Sequence, residues 1–422
     1  MRLIMLQRSS MNNLLKVASL MNEQFENLSK IDRGAMRLAT KHMREVCDDS
    51  IININLGNEY SDSSWTSVLN ILDNLPKLTN LSIHSRAAHA QPPRNILQLL
   101  EHQSVMGHLT RFECCGMNYI IAHDKVLPLY STLTSLKCLS TKAIPIEYNN
   151  SDYDIHTAEH FKPFADSLTS LTVSWWRCHP SHGVWTTLTP LTNLQVLIID
   201  VFCEMGSGFT AFLNTGALSF LTRLDMVPLS MNDSYIPESA HLCLPRLEYL
   251  RYYGRFKTTT FDKWTSLVHL EIRTWGTNYN PPPNINELVI VGCNWGDESR
   301  YGKKFMTNMP SLTNMFIDID KSSRVYVLPE YIGSMTTLKD LKLPVSTGQG
   351  LSLLSGLSML TSLHMYLFTG VTETELISSE WWSPLSKLKS LQKIIVDDVS
   401  DVSSCMSMTN AKLLRGMNKQ QI

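Results

Sequence analysis

The sequence predicts an α/β repeat solenoid, with short parallel strands lining its concave face and a small helical element at the N-terminus. Three observations predict it. The first is a change of period within one phrase: in Leu188-Thr-Pro-Leu191-Thr-Asn-Leu194-Gln-Val-Leu197-Ile-Ile199-Asp200 the apolar residues fall every third position, then every second. A tight turn running into a short strand requires that switch, because side chains on a strand alternate faces. The second is that the phrase recurs along the chain. The third is length: 422 residues outgrow a single compact core, whereas stacked units grow without that limit.

The N-terminal residues read differently. Leu14, Leu15, Ala18, Leu20 and Met21, then Leu28, Ile31, Met36, Leu38, Met43 and Val46, recur at three- and four-residue steps with charges between them, which predicts short amphipathic helices over 1–49. The stretch from Leu28 to Asp49 resembles the second half of an F-box, where an acidic turn precedes a helix of the form L-x-x-V-C-K-x-W/F-R-x-x-V-D. Thr40 and Lys41 stand near the usual Cys/Ser and Lys/Arg, Met43 replaces the aromatic residue, and the Leu-Pro opening is absent. The resemblance implies a Skp-type adaptor as partner, contacted by Ile31, Met36, Leu38 and Met43, and through it a cullin ubiquitin ligase. The residues alone fit a second reading equally: helices that seal the open end of the solenoid with a polar outer surface.

The repeats occupy 50–400. They run from Leu75-x-x-Leu78-x-x-Leu81-x-Ile83 through Leu109-x-x-Phe112-x-Cys114, Leu168-x-x-Leu171-x-Val173 and Leu221-x-x-Leu224-x-Met226. They continue through Leu244-x-x-Leu247-x-x-Leu250-x-Tyr252 and Trp264-x-x-Leu267-x-x-Leu270-x-Ile272 to Leu338-x-x-Leu341-x-Leu343 and Leu388-x-x-Leu391-x-x-Ile394-x-Val396. With a spacing of about 26 residues, this pattern resembles the L-x-x-L-x-L core of the leucine-rich repeats. The register predicts a buried spine containing Leu197, Leu224, Leu250, Leu270 and Leu341. It departs from the family in one respect. The Asn or Cys expected three residues past the second strand leucine is matched at Cys293, while Arg86, Trp176, Phe202, Arg255 and Trp275 stand in the corresponding places. An irregular leucine-rich repeat solenoid is therefore expected, with uneven convex segments and other partners for its backbone polar groups. The polar run from Ile144 to Ile155 and the proline-stiffened Asn278-Tyr-Asn-Pro-Pro-Pro-Asn284 read as exposed loops. Residues 401–422 read as a C-terminal cap and tail.

A formal net charge of -1 gives no overall attraction for nucleic acid or an anionic membrane, and neither is expected as a partner. Nine cysteines at irregular spacings, with no C-x-x-C, argue against a disulfide framework or zinc knuckle and read mostly as buried thiols. The opening Met1-Arg-Leu-Ile-Met-Leu6 is too short an apolar run for a secretory signal, so a cytoplasmic protein is expected, with the nucleus not excluded.

Motifs for chemistry are sparse. His156-Thr-Ala-Glu159-His160 fits the H-x-x-E-H of inverzincin metallopeptidases, with His156 and His160 on one helix face as zinc ligands and Glu159 as base. Pro163 interrupts that helix within a turn and the repeats resume at Leu168, so a zinc hydrolase remains a remote alternative. Gly206-Ser-Gly208 lacks the last glycine of a dinucleotide fingerprint and reads as a turn. No G-x-S-x-G elbow occurs. The expectation is a protein–protein interaction module that is not an enzyme and needs no cofactor or metal. The F-box resemblance implies that this module is the substrate-recognition subunit of a cullin-type ubiquitin ligase; the alternative is a non-ligase leucine-rich repeat scaffold.

Alternation places a partner-binding surface on the concave face. Asp225, Arg251 and Glu271 occupy the outward position between the two inward strand residues, and Asp200, Tyr253 and Arg273 the next one. Two readings follow: opposite charges pairing laterally across strands, or Arg251, Arg273 and Tyr253 forming the centre of a recognition surface.

Overall fold

The computed structural model describes residues 79–84, 107–115, 133, 135–141, 161–173, 185, 188–202, 206–228, 235–256, 261–272, 281–291, 309–318, 328, 330–345, 348–367 and 383–398. The chain divides into two units, Met1–Val201 and Phe202–Ile422. The F-box-like segment with Ile31, Met36, Leu38 and Met43, the His156/Glu159/His160 motif, the run from Ile144 to Ile155 and the C-terminal cap all lie outside the described residues.

In the first unit, β1 (Asn80–His84), β2 (Arg111–Cys115), β3 (Cys138–Thr141), β4 (Ser170–Val173) and β5 (Val196–Phe202) pair in chain order, each parallel to the next. The second unit contains β6 (Arg223–Pro228), β7 (Tyr235–Ile236), β8 (Tyr249–Tyr252), β9 (Arg255–Phe256), β10 (His269–Ile272), β11 (Glu287–Val291), β12 (Asn314–Asp318), β13 (Asp340–Val345), β14 (Ser362–Leu367) and β15 (Lys393–Asp398). Strands β6, β8 and β10 to β15 again pair consecutively and in parallel, while β7 and β9 form a small parallel ladder of their own. Short strands joined in sequence order, each returning in the same direction, are the arrangement the repeated phrase predicts.

The registers align the apolar residues into rows. In the first unit Leu81, Phe112, Leu139, Leu171 and Leu197 lie opposite one another, all buried. The second unit's row is Leu224, Leu250, Leu270, Leu288, Met315, Leu341, Leu363 and Ile394, also buried. A second inward row, Met226, Tyr252, Ile272, Ile290, Ile317, Leu343 and Met365, sits two residues further along. The three-residue step supplies the layer beneath: Leu194, Leu221, Leu247, Leu267, Ile285, Leu312, Leu338 and Leu360 are buried in the turns that precede strands. Full burial of a leucine side chain is worth about 1.5–3 kcal/mol, so the rows hold each unit together along its length.

Backbone hydrogen bonds stitch successive repeats at one recurring place. The carbonyl just before each strand accepts two consecutive N–H groups from the next repeat. Thr79, Thr110, Lys137 and Thr169 do so in the first unit, and Thr222, Glu248, Val268, Asn286, Thr313, Lys339 and Thr361 in the second, at 2.8 to 3.1 Å. Two lone pairs on one oxygen permit this. Where the donor is a threonine, its hydroxyl can join: Thr110 donates to Thr79 O at 3.2 Å, Thr169 to Lys137 O at 3.3 Å, Thr313 to Asn286 O at 3.2 Å and Thr361 to Lys339 O at 3.0 Å. The turns carry a second side-chain ladder, one residue before the apolar turn residue. Ser266 donates to Pro245 O at 2.7 Å, Asn284 to Thr265 O at 2.6 Å, Thr337 to Leu312 O at 2.7 Å and Ser390 to Ser358 O at 2.7 Å. These small polar side chains link repeat to repeat before the strand, whereas the family's Asn or Cys stands after it.

Three details depart from the sequence reading. Gly206-Ser-Gly208 opens helix α1 (Gly206–Asn214) and is not a turn, because Phe209, Phe212 and Leu213 fall at helical spacing and are all buried. In the proline-rich connector Pro281 and Pro282 are buried, and only Pro283 and Asn284 of its described residues are exposed. Cys138 and Cys243, the cysteines whose side chains are described, are free and half-buried, since Cys138 opens β3 at an outward position and Cys243 ends the short helix α2 (Ala240–Cys243). Among the described residues, no helix is long and apolar enough to cross a membrane.

Candidate functional site

Strand alternation in the second unit puts one set of polar side chains in the core-opposite face of β6, β8, β10 and β11. The registers set Asp225 opposite Arg251, Arg251 opposite Glu271, and Glu271 opposite Val289. Neighbouring strands lie about 4.8 Å apart, within reach of lateral pairing. Arg251 pairs on both sides: its Nη1 lies 3.4 Å from Asp225 Oδ2 and its Nε 3.1 Å from Glu271 Oε1.

Tyr253 closes this cluster from just beyond β8. Its backbone N–H donates to Met226 O at 3.3 Å. Its hydroxyl accepts from Arg251 Nε and Nη2, each at 3.1 Å, and donates to Glu271 Oε1. The Arg251 guanidinium also lies 4.8 Å from the centre of the Tyr253 ring. Adjacent tyrosines thus divide between the faces, Tyr252 being fully buried and Tyr253 half-exposed.

A second outward row lies two residues earlier on each strand, and the sequence reading missed it. Arg223, Tyr249, His269 and Glu287 stand in register. Arg223 covers the Tyr249 ring at 4.2 Å, Tyr249 stacks on His269 with centroids 4.1 Å apart and planes 11° apart, and His269 Nδ1 lies 3.0 Å from Glu287 Oε2. The rows are joined where Tyr249 donates to Glu271 Oε2 at 3.3 Å and Arg223 Nη2 approaches Asp225 Oδ2 at 3.6 Å. Counting back two residues from Asp225, Arg251 and Glu271 finds three of these four positions.

Burial and charge act together here. The Asp225 side chain is only 3% exposed, covered by Arg223 and Arg251 on its own face. Burial raises its carboxyl above the usual range, outweighing the pull of Arg251 and Arg223, and Glu271 adds to the rise. Burial opposes the charge on Arg251, yet its hydrogen bond to Tyr253 and the carboxylates of Asp225 and Glu271 hold it more firmly protonated than an ordinary arginine. Tyr249 and Tyr253 are pushed up to about 12, first by burial and then by Glu271, which also accepts the Tyr253 hydrogen bond. At neutral pH both phenols are therefore donors. The cluster can hold planar charged and aromatic groups in fixed positions.

Of the residues the sequence assigned to a partner surface, the structure brings Asp225, Arg251, Tyr253 and Glu271 together. Asp225 lies beneath the arginines, out of reach of solvent. Asp200 lies on β5 in the other unit, its side chain outside the described set, and Arg273 follows β10 outside the described residues. Further along the same face, Lys342 Nζ lies 5.7 Å from the Phe316 ring, and Tyr366 approaches Phe316 at 6.1 Å and His364 at 4.4 Å between ring centroids. Among the described residues no group of three or more His, Cys, Asp or Glu is placed to hold a metal ion. No family model matches the chain, and no curated protein matches it.

Proposed function

We propose that the chain is a protein–protein interaction module of the leucine-rich repeat kind, acting in the cytoplasm, with the outward face of β6, β8, β10 and β11 as its partner-binding surface. The observation that carries this reading is the Arg251–Tyr253–Glu271 cluster on a parallel, in-register sheet. Interfaces gain most from Arg and Tyr anchors, and side chains already held in place lose little entropy on binding. Here the Tyr253 ring stays half-exposed while its hydroxyl is fixed, and Arg251 keeps 32% of its side chain open to solvent. The F-box-like residues Ile31, Met36, Leu38 and Met43 extend the proposal to a ligase subunit that presents its target to a Skp-type adaptor.

The test is co-purification of the tagged full chain from its native cell, with proteins identified by mass spectrometry and each candidate re-bound as purified protein. Tyr253→Ala and Arg251→Ala are then compared in affinity and melting temperature. Lost affinity for the purified partner by a Tyr253→Ala chain that is still fully folded at the assay temperature supports the surface. Lowered stability with unchanged affinity in both variants leaves only lateral charge pairing and refutes it. Recovery of a Skp-type adaptor by wild type, abolished by Leu38→Asp with Met43→Asp, separates a ligase subunit from a plain scaffold.

A further inference from the structure

A separate feature lies at the edge of the second unit where β13, β14 and β15 begin. A cleft of about 340 Å³ opens there, lined by Lys339, Met359, Thr361, Lys389, Ser390 and Gln392. Its walls are fixed by the stitching between repeats: Thr361 N–H and hydroxyl donate to Lys339 O, Gln392 N–H donates to Thr361 O, and the Ser390 hydroxyl donates to Ser358 O. These turn groups are thereby satisfied. What the cleft still offers is two ammonium groups, the Gln392 side-chain amide and one apolar lining residue, Met359, which is 47% exposed.

The lysines of this edge lack the carboxylate partners found on the outward face of β6 to β11. Arg223, Arg251 and His269 each face a carboxylate. Lys339, Lys387, Lys389 and Lys393 are all exposed, and none makes an ion pair among the described residues. Lys393 enters at the rim, where its backbone N–H donates to Thr361 O. One carboxylate, Asp340, opens β13 on this edge. Among the described residues, Lys339, Lys389 and Lys393 against one aspartate form a local cationic patch on a chain whose net charge is -1.

We propose that this cleft docks an acidic segment of a partner protein, with Lys339 and Lys389 gripping carboxylates on either side of an apolar residue that rests on Met359. Charge complementarity selects the class of ligand. The exposed Met359 selects a peptide over a bare anion, because methionine adapts to varied apolar side chains and contributes nothing to inorganic phosphate. Gln392 can both donate to and accept from an extended peptide backbone. The site does not depend on the surface around Arg251, and each stands or falls alone.

The experiment uses the full chain and a fluorescently labelled synthetic peptide of glutamates around one leucine, read by anisotropy at several salt concentrations. Binding should weaken as salt rises. Lys339→Glu with Lys389→Glu should weaken it at least about tenfold, since each reversal replaces attraction with like-charge repulsion. Met359→Ser should weaken binding while leaving the salt dependence unchanged. Lys339→Gln with Lys389→Gln serves as the milder variant, and its affinity decides if the charge reversal disturbs the melting curve. Equal affinity for wild type and the glutamine variant, or no binding of the peptide at low salt, overturns the proposal. Binding to phosphatidylserine vesicles that the peptide fails to displace overturns it in favour of a lipid surface, and equal competition by inorganic phosphate reduces the site to a simple anion site.

Discussion

Gly356→Ala tests a close backbone approach in the second unit. Gly356 ends the 3-10 segment Gly348–Gly356, and Gly333 lies in the neighbouring 3-10 segment Glu330–Ser334. A Cβ built on Gly356 would lie 2.2 Å from the Gly333 carbonyl oxygen, and one built on Gly333 would lie 2.2 Å from that of Leu353. Both obstacles are backbone, so no side chain can swing aside. To reach even a tight contact the segments must part by about 1 Å, and a gap of that size forfeits roughly a quarter to a half of each dispersion contact across it. Ile332, Leu351, Leu354 and Leu357, all fully buried, lie in or beside these segments and would lose part of that packing. Overpacking of this kind costs about 1–3 kcal/mol. Where a backbone conformation suits alanine and space is open, the same substitution instead stabilises by about 0.4–1 kcal/mol. The sign of the change is therefore the measurement. Urea denaturation should show a lower midpoint with an unchanged slope. Gly350→Ala, whose Cβ would meet the movable Leu328 side chain at 3.0 Å, should cost less. A Gly356→Ala variant more stable than wild type would refute the close approach and the reasoning built on it.

Leu224→Ala, in the centre of a fully buried contact between β6 and β8, should cost about 2–5 kcal/mol in the same assay; a change below about 0.5 kcal/mol would take Leu224 out of the row. The folded-state pKa of Tyr253, pushed up to about 12 from 10.0, binds its proton more tightly than in the unfolded chain. Its contribution is therefore fully present below pH 10 and is lost as pH rises towards 12. The stability of wild type, read by chemical denaturation, should fall across that window, and Tyr253→Phe should flatten the loss; identical pH profiles would refute a phenol buried beside Glu271.

The parts of this architecture that could be read from sequence are those written in single-strand spacing. Leucines at three-residue and then two-residue steps placed Leu224, Leu250, Leu270 and Leu341 in the core, and the same alternation turned Arg251 and Glu271 outward. Arg223, Tyr249 and His269 obey that count too, but their significance arises only when three strands align and the rings stack. The turn ladder is hidden for the same reason: Ser266 and its acceptor Pro245 belong to different repeats, and an isolated serine before a leucine announces no partner. Lys339 and Lys389 meet at one cleft although they lie in separate repeats. The glycines of Gly206-Ser-Gly208 misled in the opposite direction, drawing attention from the apolar step Phe209, Phe212, Leu213 that makes the segment helical.

The carbonyl that receives two N–H groups from the following repeat is supplied by Thr222, Glu248, Val268, Asn286, Thr313, Lys339 and Thr361 in turn, three of them threonines and the others unlike one another in side-chain chemistry. Because the acceptor is main chain, it stays in place when the side chain at these positions changes. Residues as unlike as glutamate, valine and lysine therefore fill the same acceptor place. Lys339 keeps the two roles apart: its carbonyl joins one repeat to the next, while the residue also lines the cleft.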